Sequence, residues 1–97
     1  MNKIELKSWP EYFQAMKSGV KTFDIRKNDR DYKVGDILIL KEWKPNGYSD
    51  VSPNEITGEY TGETLTVKVT YIFKQPNGVN FGLIGDTIVM SVVIVND

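Results

Sequence analysis

Seven side chains between residues 21 and 30 have types and spacing that could hold or activate a polar ligand: Lys21, Thr22, Asp24, Arg26, Lys27, Asp29 and Arg30. Asp24 and Arg26 are two apart in a segment that alternates like a strand, so their side chains share one face. They either pair with each other or present both charges to a ligand. An exposed ion pair of this kind contributes only roughly 0–1 kcal/mol. Lys21 follows Gly19, a natural helix-ending residue, at a place where the chain changes direction. A lysine there either reaches over the mouth of a cleft or simply sits in solvent. Pattern alone favours the solvated reading for every member of the group.

Composition removes most familiar chemistries. The chain has no His and no Cys, which excludes Ser-His and Cys-His pairs, thiolate chemistry, disulfides and the usual zinc sites. No phosphate-binding glycine loop, dinucleotide fingerprint or nucleophile elbow is present in the sequence. Any proton transfer therefore falls to Lys, Asp, Glu or Tyr, and no metal or cofactor is expected. Ninety-seven residues with 40% hydrophobic and 26% charged content suit one domain spanning 1–97. The longest apolar run is too short to cross a bilayer, and Met1 is followed by polar residues. The expectation is a cytoplasmic protein with no membrane partner. Charge is uneven. Residues 1–44 carry ten basic and seven acidic side chains, whereas residues 45–97 carry two and six. A basic face suited to an anionic partner is one reading of this, and scattered solvated charge is the other.

The elements that must position the group follow from periodicity. Residues 4–7 alternate as a short strand. Ser8 with Glu11 has capping-box spacing, Pro10 suits a first helical turn, and Trp9, Tyr12, Phe13 and Met16 form one apolar stripe, expected to be core. Residues 22–26 alternate, with Phe23 and Ile25 on one side and Thr22, Asp24 and Arg26 on the other. Residues 37–40 are apolar on both faces and read as a central strand closed by Trp43. Residues 44–62, broken by Pro45, Pro53, Gly58 and Gly62, are expected to form a long loop, with Tyr48 and Tyr60 either stacking on a base or, the favoured reading, pinning the loop. In residues 63–73, Leu65, Val67, Val69, Tyr71 and Phe73 are expected inward and Thr64, Thr66, Lys68 and Thr70 outward. A turn at 76–78 and a brief segment at 81–83 lead to a last strand, 87–95, with almost no polar face and hence expected to be covered on both sides. The fold class expected is α+β and mainly β: a mixed, mostly antiparallel pseudo-barrel of five or six strands with one N-terminal helix packed on it.

Gly19-Val20-Lys21-Thr22-Phe23-Asp24-Ile25-Arg26 resembles the Gly-x-Lys-Thr-x-x-x-Arg signature of the ASCH domain family, a branch of the PUA-like superfamily. The run 21–30, together with residues 4–7, 34–38, 60–62, 69–72 and 81–83, is similar to a little-characterised ASCH-like family of bacteria and phages. Its central run usually reads Lys-Thr-Phe-Glu-Ile-Arg-Lys-Asn-Asp-Arg; Asp24 stands here in place of the Glu. The resemblance implies a PUA-like pseudo-barrel with a cleft beside the helix, a setting associated with RNA binding. It implies ligand contacts from Lys21, Thr22, Asp24, Arg26, Lys27 and Arg30, with Lys21 and Arg26 nearest a phosphate or base edge.

Three functions follow as expectations. The first is an RNA- or nucleotide-binding module without catalysis, suited to single-stranded or flipped-out bases. The second rests on ASCH relatives that are metal-independent amidohydrolases acting on N4-acetylcytidine. The motif Lys corresponds to Lys21, but Asp24 occupies the position of their catalytic Thr. An enzyme would need Asp24 as general base, with Lys21 or Arg26 stabilising the oxyanion. The third is a phage-type protein-interaction module.

Overall fold

The computed structural model describes residues 2–46 and 56–95. Five strands and one helix follow in the order β1 (Lys3–Ser8), α1 (Pro10–Lys17), β2 (Phe23–Lys27), β3 (Ile37–Pro45), β4 (Gly58–Lys74) and β5 (Thr87–Ile94). They form one sheet in the order β1-β3-β4-β5-β2. The β1–β3 pair is parallel and the other three pairs are antiparallel. The sheet curls into a half-barrel, and the expected class, mainly β with a single short helix, is the one observed. Among the described residues no helix is long and apolar enough to cross a membrane.

The core occupies the concave side. Leu38 and Leu40 of β3, Val67 and Val69 of β4, and Ile88 and Met90 of β5 are fully enclosed, and Phe13 and Met16 of α1 close over them. Each strand supplies alternate residues, as its period of two requires. Only half of the helical stripe is core. Phe13 and Met16 are buried, but Tyr12 is exposed and Trp9 half-buried. Ser8 does not cap the helix. It ends β1 as a buried residue, and Trp9 is the N-cap, with no side-chain cap bond. Pro10 starts the helix from its fixed φ.

Two bulges in β4 reset its faces. Three residues, 61–63, stand opposite Glu42 alone, and Thr70 is an extra residue between the Val69–Val92 and Tyr71–Ser91 pairs. Leu65, Val67 and Val69 point inward as their alternation predicts. Past Thr70 the parity flips, so Tyr71 is exposed and Ile72 packs on the core in its place. The expected long loop is also shorter than its composition implies. Residues 58–62 belong to β4, which puts Tyr60 on a strand opposite Trp43. Asn46 draws the two arms together, its amide N–H donating to the Thr57 carbonyl at 2.8 Å and its side-chain amide to the Thr57 hydroxyl at 3.1 Å. Tyr48 and Pro53 lie outside the described residues.

The convex face is not covered. Ile88, Met90 and Val92 of β5 are buried, yet Ser91 and Val93 on the opposite side are exposed, so the last strand has one well-covered side and not two. In the brief segment 81–83, Phe81 and Gly82 form an exposed bend and Leu83 is half-buried. In β2 the expected alternation holds, and its polar side is the one turned inward: Phe23 and Ile25 are exposed while Asp24 is buried.

Candidate functional site

Gly19, with φ +85°, ends α1 in a conformation that a side chain would strain. The Val20 and Lys21 amides then both donate to the Ala15 carbonyl, at 3.1 and 3.0 Å, folding the chain back over the helix end. This fixes the Lys21 backbone at the helix exit. The Val92 amide donates to the Thr22 carbonyl at 3.0 Å, starting the alignment of β2 on β5. Asp24 then lies opposite Met90 and Arg26 opposite Ile88. Directly opposed residues share a face, so the register carries a carboxylate and a guanidinium to the side of the sheet that holds the core.

Both charges are answered locally. Arg26 Nε donates to Asp24 Oδ2 at 2.6 Å, and Lys21 Nζ lies 3.4 Å from Asp24 Oδ1. All three side chains are at least three-quarters removed from solvent, Asp24 most of all. Arg26 Nη2 also donates to the Lys7 carbonyl at 2.8 Å, joining β2 to β1, the two edge strands of the sheet. The half-barrel is thus clasped by a side chain where no backbone ladder runs. The Lys21 ammonium sits 5.2 Å from the Phe23 ring centre and 5.7 Å from that of Tyr12, a cation–π arrangement on two sides.

These groups line an open recess of about 850 Å³, with Trp9 and Tyr12 of the helix end on one wall and Lys21, Asp24 and Arg26 on the other. A second recess of about 440 Å³ lies across the clasp, bordered by Arg26, Lys27, Arg30, Tyr32, Lys41 and Tyr60 among others. Lys7 and Arg26 border both. Lys21, Asp24 and Arg26 therefore meet in the larger recess, while Lys27 and Arg30 join Arg26 in the smaller one. Thr22 is exposed and borders neither. Burial of the Tyr32 phenol is the main cause of its raised pKa, which the nearby Arg26 and Arg30 oppose.

Sequence reasoning favours core over a base-stacking platform for Tyr12 and Trp9 on the helical stripe, whereas the structure places both on the border of the larger recess. Glu42 was missed by sequence reasoning. This buried carboxylate accepts from Gln14 Nε2 at 2.9 Å and from the Thr61 hydroxyl at 2.7 Å, tying α1 to the bulged start of β4. The Lys17–Glu63 pair at 2.8 Å adds a second, exposed tie, which raises the lysine pKa and lowers that of the glutamate through their shared hydrogen bond. Among the described residues no three acidic side chains cluster as metal ligands would.

Residues 4–92 match the model of DUF3850, a domain of unknown function. The chain belongs to the DUF3850 family. An uncharacterized 12.9 kDa protein in the GpA 3′ region of Escherichia phage P2 is 35% identical over 71 residues, covering 72% of this chain and 54% of the phage protein. The chain thus spans about half the length of that relative. The DUF3850 match includes α1, β2 and all of β1 but its first residue, and so every side chain of the larger recess.

Proposed function

We propose that this DUF3850 chain is a nucleotide- or RNA-binding module of the cytoplasm whose larger recess receives a base. The observation that carries the reading is the convergence of Lys21, Asp24 and Arg26 on one open recess beside the helix end. Its volume falls within the range of about 300–1,000 Å³ usual for small-ligand sites. Tyr12 offers an exposed ring on which a base can stack, and the two cations offer donors to its acceptor edge or to a phosphate. Of the five N–H donors of a guanidinium, Arg26 spends one on Asp24 and one on Lys7, and the others have no partner among the described residues. The resemblance to ASCH domains of the PUA-like superfamily supports the same reading.

Fluorescence anisotropy with short labelled single-stranded RNAs, and competition by free nucleosides at low salt, tests it. Binding that weakens in Lys21→Ala and in Arg26→Ala is expected. Absence of binding, or binding indifferent to both substitutions, overturns the reading.

A hydrolase reading draws on the same recess, because an ammonium and a carboxylate lie 3.4 Å apart within it. Asp24 would take a proton from water, and the resulting hydroxide would attack the acetyl carbonyl of N4-acetylcytidine. The C–N bond would break with the proton passing to the amine, releasing acetate and cytidine, while Lys21 or Arg26 stabilised the oxyanion. Both oxygens of Asp24 already face cations, so the water must displace one of them. That requirement ranks this reading second. Release of cytidine from N4-acetylcytidine, followed by chromatography, would reverse the order. A nuclease-insensitive pull-down of a host protein would instead favour an interaction module.

A further inference from the structure

The two recesses differ in character although the Arg26–Lys7 clasp is a wall of both. The larger one is mostly aromatic and aliphatic, and its central charges are neutralised in part by Asp24. The smaller one carries Lys7, Arg26, Lys27, Arg30 and Lys41 on its border. Only two carboxylates, Glu5 and Asp29, stand against these five cations. Glu5 is engaged by Lys41 at 3.3 Å. Lys27 and Arg30 are exposed and make no ion pair among the described residues. Tyr60, half-exposed, lies beneath the Lys41 ammonium, 4.7 Å from ring centre to nitrogen.

An aromatic, apolar pocket next to a cationic, polar one reproduces the alternation of a nucleic-acid strand, in which an apolar base face is followed by a phosphate. Cations without intramolecular partners are the ones that gain most from a phosphate, because no internal pair has to be broken. We infer that the smaller recess is the phosphate subsite of a single strand that crosses the Arg26–Lys7 clasp, an inference that rests on base binding in the larger recess. Lys27 and Arg30 hold the phosphate, and Tyr60 forms the platform for the next base. Arg26, shared by both recesses, sets the spacing between base and phosphate. The ligand class is then a strand of two or more nucleotides and not a free nucleoside.

Isothermal titration with the four common nucleosides, their 5′-monophosphates, and a six-nucleotide RNA and its DNA equivalent tests the assignment over a salt series. In Lys27→Gln/Arg30→Gln, binding of the six-nucleotide strand should weaken about tenfold or more. Its dependence of log affinity on log salt should become shallower by about 1.4 if two phosphate contacts are lost. Nucleoside binding should be unchanged in that variant. Tighter binding of RNA than of DNA assigns the strand to RNA, and equal binding assigns the contact to phosphate irrespective of sugar. If nucleosides bind and depend on Lys21, but the strand binds no tighter than they do or ignores the double substitution, the phosphate subsite falls and base binding stands. If Lys21→Ala leaves every ligand's affinity unchanged, base binding falls and takes the crossing strand with it.

Discussion

Arg26 reaches from β2 to the backbone of β1, its Nη2 donating to the Lys7 carbonyl at 2.8 Å while its Nε holds Asp24 at 2.6 Å. One side chain thus closes the seam between the two edges of the sheet and orders the acid at the heart of the larger recess. Edge strands expose unpaired backbone groups that invite other chains. Here one such group, the Lys7 carbonyl, is occupied from within. Because the same guanidinium borders both recesses, architecture and site rest on one residue.

Asp24 should be costly to neutralise. Asp24→Ala leaves Lys21 and Arg26 facing each other in a partly dry setting, without the carboxylate that offsets them. Removing one partner of a fully buried pair costs about 3–5 kcal/mol. The two cations keep some solvent here, so a loss of roughly 2–3 kcal/mol is expected by urea denaturation. A change under about 0.5 kcal/mol, the size of an ordinary surface substitution, would mean that the triad contributes no stability.

Adjacent helical residues should part company. Phe13 is fully enclosed, and Phe13→Ala should cost about 3–5 kcal/mol through lost burial and a residual cavity. Tyr12 is 51% exposed on the neighbouring position, so Tyr12→Ala should cost about 1 kcal/mol or less yet weaken nucleoside binding. Thermal melts and titrations on the two variants separate the core side of α1 from its ligand side. Equal destabilisation by both would place Tyr12 in the core after all.

The helix and the general path of the strands are legible from sequence because periodicity reports them directly. What periodicity does not report is which face of a strand meets the core. In β2, Phe23 and Ile25 alternate with Asp24 and Arg26, and hydrophobicity points to the wrong side. The acid can go inward because Lys21 and Arg26 arrive with it, a compensation visible only once Gly19 has turned the chain back. The Thr70 bulge is similarly silent, since a single extra residue in an alternating run leaves no local mark on composition. Spacing shows that Asp24 and Arg26 share a face, but pattern alone favours solvated side chains for them and for Lys21, and only the resemblance to a known motif singles the three out. Tyr12 and Trp9 are not singled out, because a stripe beside a cleft has the same period as a stripe over a core. Local preference and global placement disagree most in β2, the strand that builds the recess.

Gly58 starts β4 where there is no room for a side chain. A Cβ there would meet the Lys44 carbonyl and come within 2.6 Å of the Trp43 ring. Both neighbours are constrained, Lys44 by its pairing with Glu59 and Trp43 by burial. Gly58→Ala should therefore destabilise the protein by about 1–3 kcal/mol, as overpacking does, and shift the Trp43 fluorescence. Full stability with unchanged emission would show that the β3–β4 junction yields freely.

Tyr32 offers a reading of the smaller recess through pH. Its pKa is raised above the ordinary 10.0, first by burial, with Arg26 and Arg30 opposing the rise. A group whose folded pKa is raised stabilises the fold fully below its unfolded value, and that contribution is lost as pH rises through the folded value. Tyr32 should accordingly ionise above the ordinary phenol value in an ultraviolet titration, and stability should fall above pH 10.0. Tyr32→Phe should remove that late phase. Arg26→Gln should move it to still higher pH, because the cation that favours the phenolate is gone. An ionisation of Tyr32 at the ordinary phenol value would show that the phenol beside the smaller recess is wet.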